Sequence, residues 1–288
     1  MSPPQPAPNR VPLHLGAVSQ TLLVPLWARA EESRRHDGVL RDPKAEAVIR
    51  ALDVDLDALR EARASQLGCC VRSVLIDTWV REFLHAHPEG TVVELGVGLN
   101  SRFERTDNGR ARWIELDLPE VIALRRRFFE AHPRRDVVAA SLTDAGWLGD
   151  LRERVRAPSL FVAEGVMVYL QREEVRALFA RLRDAAPGAG FVFDAMTRPV
   201  LRFQSAHDAM RHFEARFTWS VDDPREVESF APDVRIERTE SFYDMLYAHP
   251  RRLPAWMRLA GPLVARVWPP VRRTYTINLA RLGAPPRG

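Results

Sequence analysis

The chain has 288 residues, 46% of them hydrophobic, enough to build one large domain or one domain with a lid. Its 42 basic and 38 acidic residues are interspersed and leave a net charge of +4, so no basic stripe or tail marks a nucleic-acid binder. Cys69 and Cys70 are adjacent and make neither a disulfide framework nor a metal cluster, and no apolar run reaches the roughly 18 residues of a membrane span. Pro12, His14, Gln20 and Pro25 interrupt the early apolar stretch that a secretion signal would need, so a reducing, cytoplasmic setting without a membrane partner is expected.

The first ten residues, rich in proline and polar groups, read as a loose tail. Apolar and then charged helical stretches follow as far as Ala86, giving a helical segment over 1–88 that contributes to the site. From Thr91 the pattern alternates. Strands are predicted near 91–96, 112–117, 136–140, 158–164 and 190–195, separated by helix-like runs such as Pro119–Ala131 and Arg172–Ala185. Such alternation over 89–200 predicts an α/β fold with a mostly parallel sheet. Ligands of open parallel sheets bind beyond the carboxyl ends of the strands, which puts Gly96, Asp117, Ser141, Glu164 and Asp194 on one predicted rim. After Asp194 the alternation breaks. A helix-like stretch over Leu201–Phe213 and mixed segments carrying Trp219, Phe230, Phe242 and Tyr243 read as a lid inserted over 201–260. Residues 261–288 return to the core, with an alternating strand from Arg273 to Leu279 beside the one ending at Asp194.

The segment Val92-Val93-Glu94-Leu95-Gly96-Val97-Gly98 carries the chemistry. Two glycines one residue apart, just after a predicted strand, let the backbone turn sharply and approach a ligand that any Cβ would block. A dinucleotide site needs a third glycine beside the pyrophosphate, and Ser101 stands there instead, which excludes a dehydrogenase. S-adenosylmethionine has no phosphate and needs only the two-glycine turn and an acid for its ribose. That acid is expected about twenty residues on, at the end of the strand running through Trp113 and Ile114, and Asp117 is chosen over Glu115.

Further marks extend the pattern: Ala28-Arg29-Ala30 before Asp42-Pro43, Val71-Arg72-Ser73 with Asp77, and Glu94 through Arg102. Glu115-Leu116-Asp117-Leu118-Pro119, Ala140-Ser141-Leu142 with Trp147, and Ala163-Glu164-Gly165-Val166 with Tyr169 complete it. With these the chain resembles the leucine carboxyl methyltransferase family and its bacterial polyketide O-methyltransferase branch. The resemblance implies a class I S-adenosylmethionine-dependent methyltransferase, a Rossmann-like sheet of seven strands whose last is antiparallel. It places Arg72 and Arg29 at the donor's carboxylate, Gly96 under its methionine part and Asp117 at the ribose, with Glu94 and Gly98 also among the cofactor-binding residues. Ser141 and Leu142 are implied beside the adenine, and Glu164 near the amino group or sulfonium. Much of the family has aspartate where Ser141 stands, so that contact is weaker here or made through the backbone.

Methyl transfer is an in-line displacement, so catalysis is mostly positioning. A carboxylate acceptor is already ionised at pH 7, whereas a phenol needs a base. Around the motifs stand Arg72, Arg29 and Tyr169 but no histidine, which favours a small carboxylic acid, polyketide or aromatic, with Arg72 and Tyr169 as the catalytic pair. The alternatives are a phenol served by a lid base, a peptide C-terminus, and a donor-binding protein without activity. Trp147 is read as core, His207 and His212 as surface, and zinc is not expected for want of a ligand cluster. Phe203, Met210, Phe230 and Met245 are the expected apolar wall of the acceptor pocket.

Overall fold

The computed structural model describes residues 10–284, so the expected tail lies, apart from Arg10, outside the described residues. After a single helical turn, Ala17–Gln20, come three longer helices, α1 (Leu23–Ser33), α2 (Pro43–Ala51) and α3 (Arg63–Ala86). α2 starts where Asp42 accepts the Ala45 amide at 2.9 Å ahead of Pro43, a capping carboxylate followed by a residue with no amide to satisfy.

Seven strands form the sheet: β1 (Thr91–Leu95), β2 (Arg112–Asp117), β3 (Arg135–Ala139), β4 (Ser159–Ala163), β5 (Ala189–Met196), β6 (Val234–Ser241) and β7 (Tyr275–Leu282). Their order is β3-β2-β1-β4-β5-β7-β6. All are parallel except β7, which runs antiparallel to both its neighbours. Every residue of β1 and β4 is buried, as expected of central strands covered by helices on both faces. One face packs Phe161, Phe191 and Phe193 under Phe179, and the other packs Trp113, Val162 and Ile277 under Ile76 and Trp79 of α3. Chain order reverses between β1 and β4, and the crevice at such a point is where this architecture binds its ligand.

The five core strands and the helix Arg172–Ala185 stand where the periodicity puts them. Four readings need correction. The helix after β2 stops at Arg125 instead of running to Ala131. The final strand is Tyr275–Leu282, shifted two to three residues along the chain. Leu201–Phe213 is not one helix but a short one, Arg198–Arg202, and two single turns. The largest difference is β6, an edge strand inside the segment read as lid. Its residues, Val-Arg-Ile-Glu-Arg-Thr-Glu-Ser, are half charged and mostly exposed because an edge strand is protected from further pairing by charge, and that erases the apolar signal.

Phe179 is fully buried and meets Phe191, Phe193 and Phe230 edge-on. Phe179→Ala is expected to cost about 3–5 kcal/mol in urea unfolding, read as a lower midpoint at unchanged slope.

Candidate active site

Beyond β1 the chain turns through Gly96 and Gly98, both with positive φ, +67° and +53°. The Gly96 and Val97 amides both donate to the Leu116 carbonyl, at 2.8 and 3.1 Å, which stitches the turn to β2. A Cβ on Gly96 would lie 2.4 Å from Val166 Cγ2, so only glycine fits. At the end of β2, Asp117 accepts the Gly98 amide at 2.6 Å and the Leu118 amide at 2.7 Å, one on each oxygen. Each oxygen keeps a further lone pair for a ligand. Burial raises the Asp117 carboxyl above its ordinary value against the pull of those two amides. Glu115 is wholly buried and gripped by both arms of Arg125, so of the two candidates only Asp117 lines the cavity.

That cavity measures about 900 Å³ and opens over the carboxyl ends of β1, β2, β3 and β4. It is at the upper end for a small-molecule site and has room for two ligands. Arg29, Arg72, Glu94, Gly96, Gly98, Asp117, Ser141, Leu142, Glu164 and Tyr169 all border it. Asp194 does not. β5 runs on to Met196, which takes the place at the rim, and leaves Asp194 buried behind it. Ser141 bonds Thr143 locally, Oγ to Oγ1 at 2.8 Å.

Under the glycine turn lies a lattice of buried charges. Arg102 donates to Asp77 of α3, to Glu94 and to Glu164. Arg72 donates to Glu164 at 3.0 Å, and its Nη1 to Asp194 and the Tyr275 hydroxyl, each at 2.9 Å. Arg29 and Arg105 share Asp42, which Ser101 also reaches, so the serine in the third-glycine position serves this lattice. Burial alone would lift the Asp42 and Glu164 carboxyls, but the arginines around them hold both below the usual carboxylate range. In the sequence Arg102, Asp77 and Asp42 stand as motif marks without a role, and Tyr275 only as part of the final strand. Their coupling depends on which strand lies next to which.

Arg72, Ser73, Asn100 and Arg102 donate to the two oxygens of Glu164, two to each, so both are engaged within the lattice. Glu94 differs. Its Oε1 holds Arg102, while its Oε2 is buried without a partner among the described residues. Arg29 Nη1 and Arg72 Nη2 are likewise without hydrogen-bond partners among the described residues.

On the far side of the cavity stand Tyr169, His207, Asp208 and Met210. Burial pushes the Tyr169 hydroxyl up to about 12, and it donates a weak hydrogen bond to Met210 Sδ at 3.7 Å. His207 was read as a surface residue, but it lines the cavity, whereas His212 is exposed outside it. The Met210 amide donates to His207 Nδ1 at 3.3 Å, and burial lowers the imidazole pKa. Burial favours the neutral ring against the Asp208 carboxylate 3.6 Å from Nδ1, and the Met210 amide on Nδ1 assigns the proton to Nε2. Of the four expected wall residues only Met210 borders the cavity. Phe203 is exposed, Phe230 packs under Phe179, and Met245 joins the cores beside α3.

A sheet of order 3-2-1-4-5-7-6 with strand seven reversed, a glycine turn after β1 and a carboxylate ending β2 define a class I S-adenosylmethionine-dependent methyltransferase. A solved protein of Streptomyces avermitilis, described as a duf574 family protein, has the same fold, with a TM-score of 0.53 at 14% identity over 88% of this chain and 96% of its own. Residues 23–183 match the leucine carboxyl methyltransferase family, and the chain belongs to it. It is 34% identical over 247 residues to the tetracenomycin polyketide synthesis O-methyltransferase of Streptomyces glaucescens, covering 85% of this chain and 91% of that protein. An S-adenosyl-L-methionine-dependent methyltransferase of Gibberella zeae is 31% identical over 272 residues, 87% and 89% of the two chains.

Arg102→Ala would leave the buried Glu94 without its hydrogen-bond partner and take one donor each from Asp77, which keeps Arg105, and from Glu164, which keeps Arg72. It is expected to cost about 3–5 kcal/mol, measured by chemical denaturation, well beyond the loss for an exposed arginine.

Proposed function

We propose that the protein transfers the methyl group of S-adenosylmethionine to a carboxylate of a small, largely apolar natural product, a polyketide or aromatic acid, and so forms its methyl ester. The donor supplies a methyl activated on a sulfonium. Its amino-acid end is a zwitterion, and the free valences of the charge lattice complement it: Arg29 Nη1 and Arg72 Nη2 for the carboxylate, Glu94 Oε2 for the ammonium. Asp117 takes the ribose hydroxyls, Gly96 and Gly98 admit the chain of the donor, and Leu142 packs the adenine with Ser141 beside it. Glu164 acts through Arg72 and Arg102 as a positioning residue.

The observation that carries the acceptor reading is the state of His207. With Nδ1 engaged it offers an N–H and no base, and Tyr169, held protonated, offers an O–H on giving up its weak bond to the Met210 sulfur. Donors facing an acceptor suit an anion that needs orienting rather than deprotonating. The protein's task is then to hold oxygen, methyl and sulfur in line at about 3–3.5 Å. Val168, Leu170, Met196, Val200 and Phe217 give the acceptor side an apolar lining suited to fused rings.

Labelled methyl donor with a panel of aromatic acids tests this. The expected product releases volatile methanol in alkali, as an ester does, and His207→Gln, which keeps an N–H donor, retains most of the activity. An alkali-stable ether, with a loss of about 10²–10⁴ in His207→Gln, would establish a phenol acceptor and a base. Donor binding also has a pH signature. Burial raises the Glu94 carboxyl above its ordinary value, so acidification protonates it early and removes the charge facing the ammonium. Calorimetric affinity for S-adenosylhomocysteine is expected to fall with pH above the usual carboxylate range, and Glu94→Gln to flatten that profile.

A further inference from the structure

The helix Ala255–Val267 shows water an apolar face that nothing among the described residues covers. Trp256, Leu259, Leu263 and Val267 recur at spacings of three and four and are 63 to 76% exposed. Trp268, just past the helix end, is also exposed. The opposite face is seated: Tyr247 donates to the Met257 carbonyl at 2.8 Å, and Gly261 sits so close to the Tyr247 ring that a Cβ would overlap it. Below the helix, Arg252 clamps Glu32 of α1, so the face is held against the body of the protein.

Its charge is one-sided. No aspartate or glutamate follows Asp244 in the sequence. Arg251, Arg258, Arg266 and Arg273 lie on or beside this helix without an ion pair among the described residues. Tryptophans at both ends of an apolar stripe, arginines around it and no acid are the composition of a helix that lies in the headgroup layer of an anionic membrane. A second copy of the chain fits poorly, because a two-fold contact would bring these arginines against their own counterparts.

We propose that this helix docks the protein on anionic lipid surfaces, lying in the interface without crossing it. No helix of the described residues is long and apolar enough to span a membrane, and the absence of a spanning run does not bear on this mode of binding. Pro254, Trp256 and Met257 also line the cavity, so docking turns its opening toward the lipid. Resting on the proposed methyl transfer, this makes the acceptor an amphiphilic acid that partitions into the bilayer and enters from it.

Vesicle flotation of the whole protein tests the docking without donor or acceptor, so its outcome is separate from that of the methyl-transfer reading. The protein is expected to float with vesicles of equal parts phosphatidylglycerol and phosphatidylcholine, much less with phosphatidylcholine alone, and less again in high salt. Leu259→Ser and Leu263→Ser alter exposed positions and are expected to weaken partitioning about tenfold each, with an unchanged circular dichroism spectrum. Failure to float, or flotation unaffected by the double variant, would overturn the proposal. So would a dimer in light scattering that the double variant splits, which would assign the face to a second copy.

Discussion

A guanidinium without exposure to water, that of Arg102, meets Asp77 from the long N-terminal helix, Glu94 at the end of β1 and Glu164 after β4. Moving four such charges out of water is costly, and only nearly complete mutual pairing makes it tolerable. That requirement fixes α3 across the switch point of the sheet. It also sets Arg72 beside Glu164 and Asp194, and through Asp42 it brings Arg29 of α1 to the same crevice. The N-terminal helices are therefore a wall of the cavity.

The lattice is closed except at its upper edge. Glu164 is filled, Asp194 is held by Arg72, Tyr275 and the Gly165 amide, and the unclaimed valences are on Arg29, Arg72 and Glu94. In the proposed function these two guanidinium nitrogens and one carboxylate oxygen, adjoining a turn that only glycine can make, complement an amino-acid zwitterion whose chain runs close to the backbone. On the same reading that complement selects the donor, while the acceptor side, with His207 and Tyr169 as donors, selects an anion.

Much of this was legible in the sequence. The parallel core declares itself because central strands are apolar throughout and the helices between them are amphipathic, so periodicity locates both. Gly96, Gly98 and Asp117 are legible because a turn at positive φ and a carboxylate at the next strand's end leave local traces. The edge strand β6 was not, since its charges serve to keep other strands away. Glu164 was found, but its place in the charge lattice was not legible. That its acceptor positions are filled depends on Arg72, Ser73, Asn100 and Arg102, which meet it only after folding. His207 likewise reads as a surface residue until the segment after β5 folds over the cavity mouth, where Asp208 is anchored by the Ser65 amide at 3.2 Å.

The central claim is that the Gly96–Gly98 turn, Asp117 and the open edge of the charge lattice form a site for S-adenosylmethionine. Isothermal titration of the purified protein with S-adenosylmethionine, S-adenosylhomocysteine and NAD tests it most directly, after mass spectrometry has checked for a carried-over ligand. The account predicts one site per chain for each of the first two and no heat of binding for NAD. Binding of NAD, or of none of the three by a ligand-free protein, would contradict it.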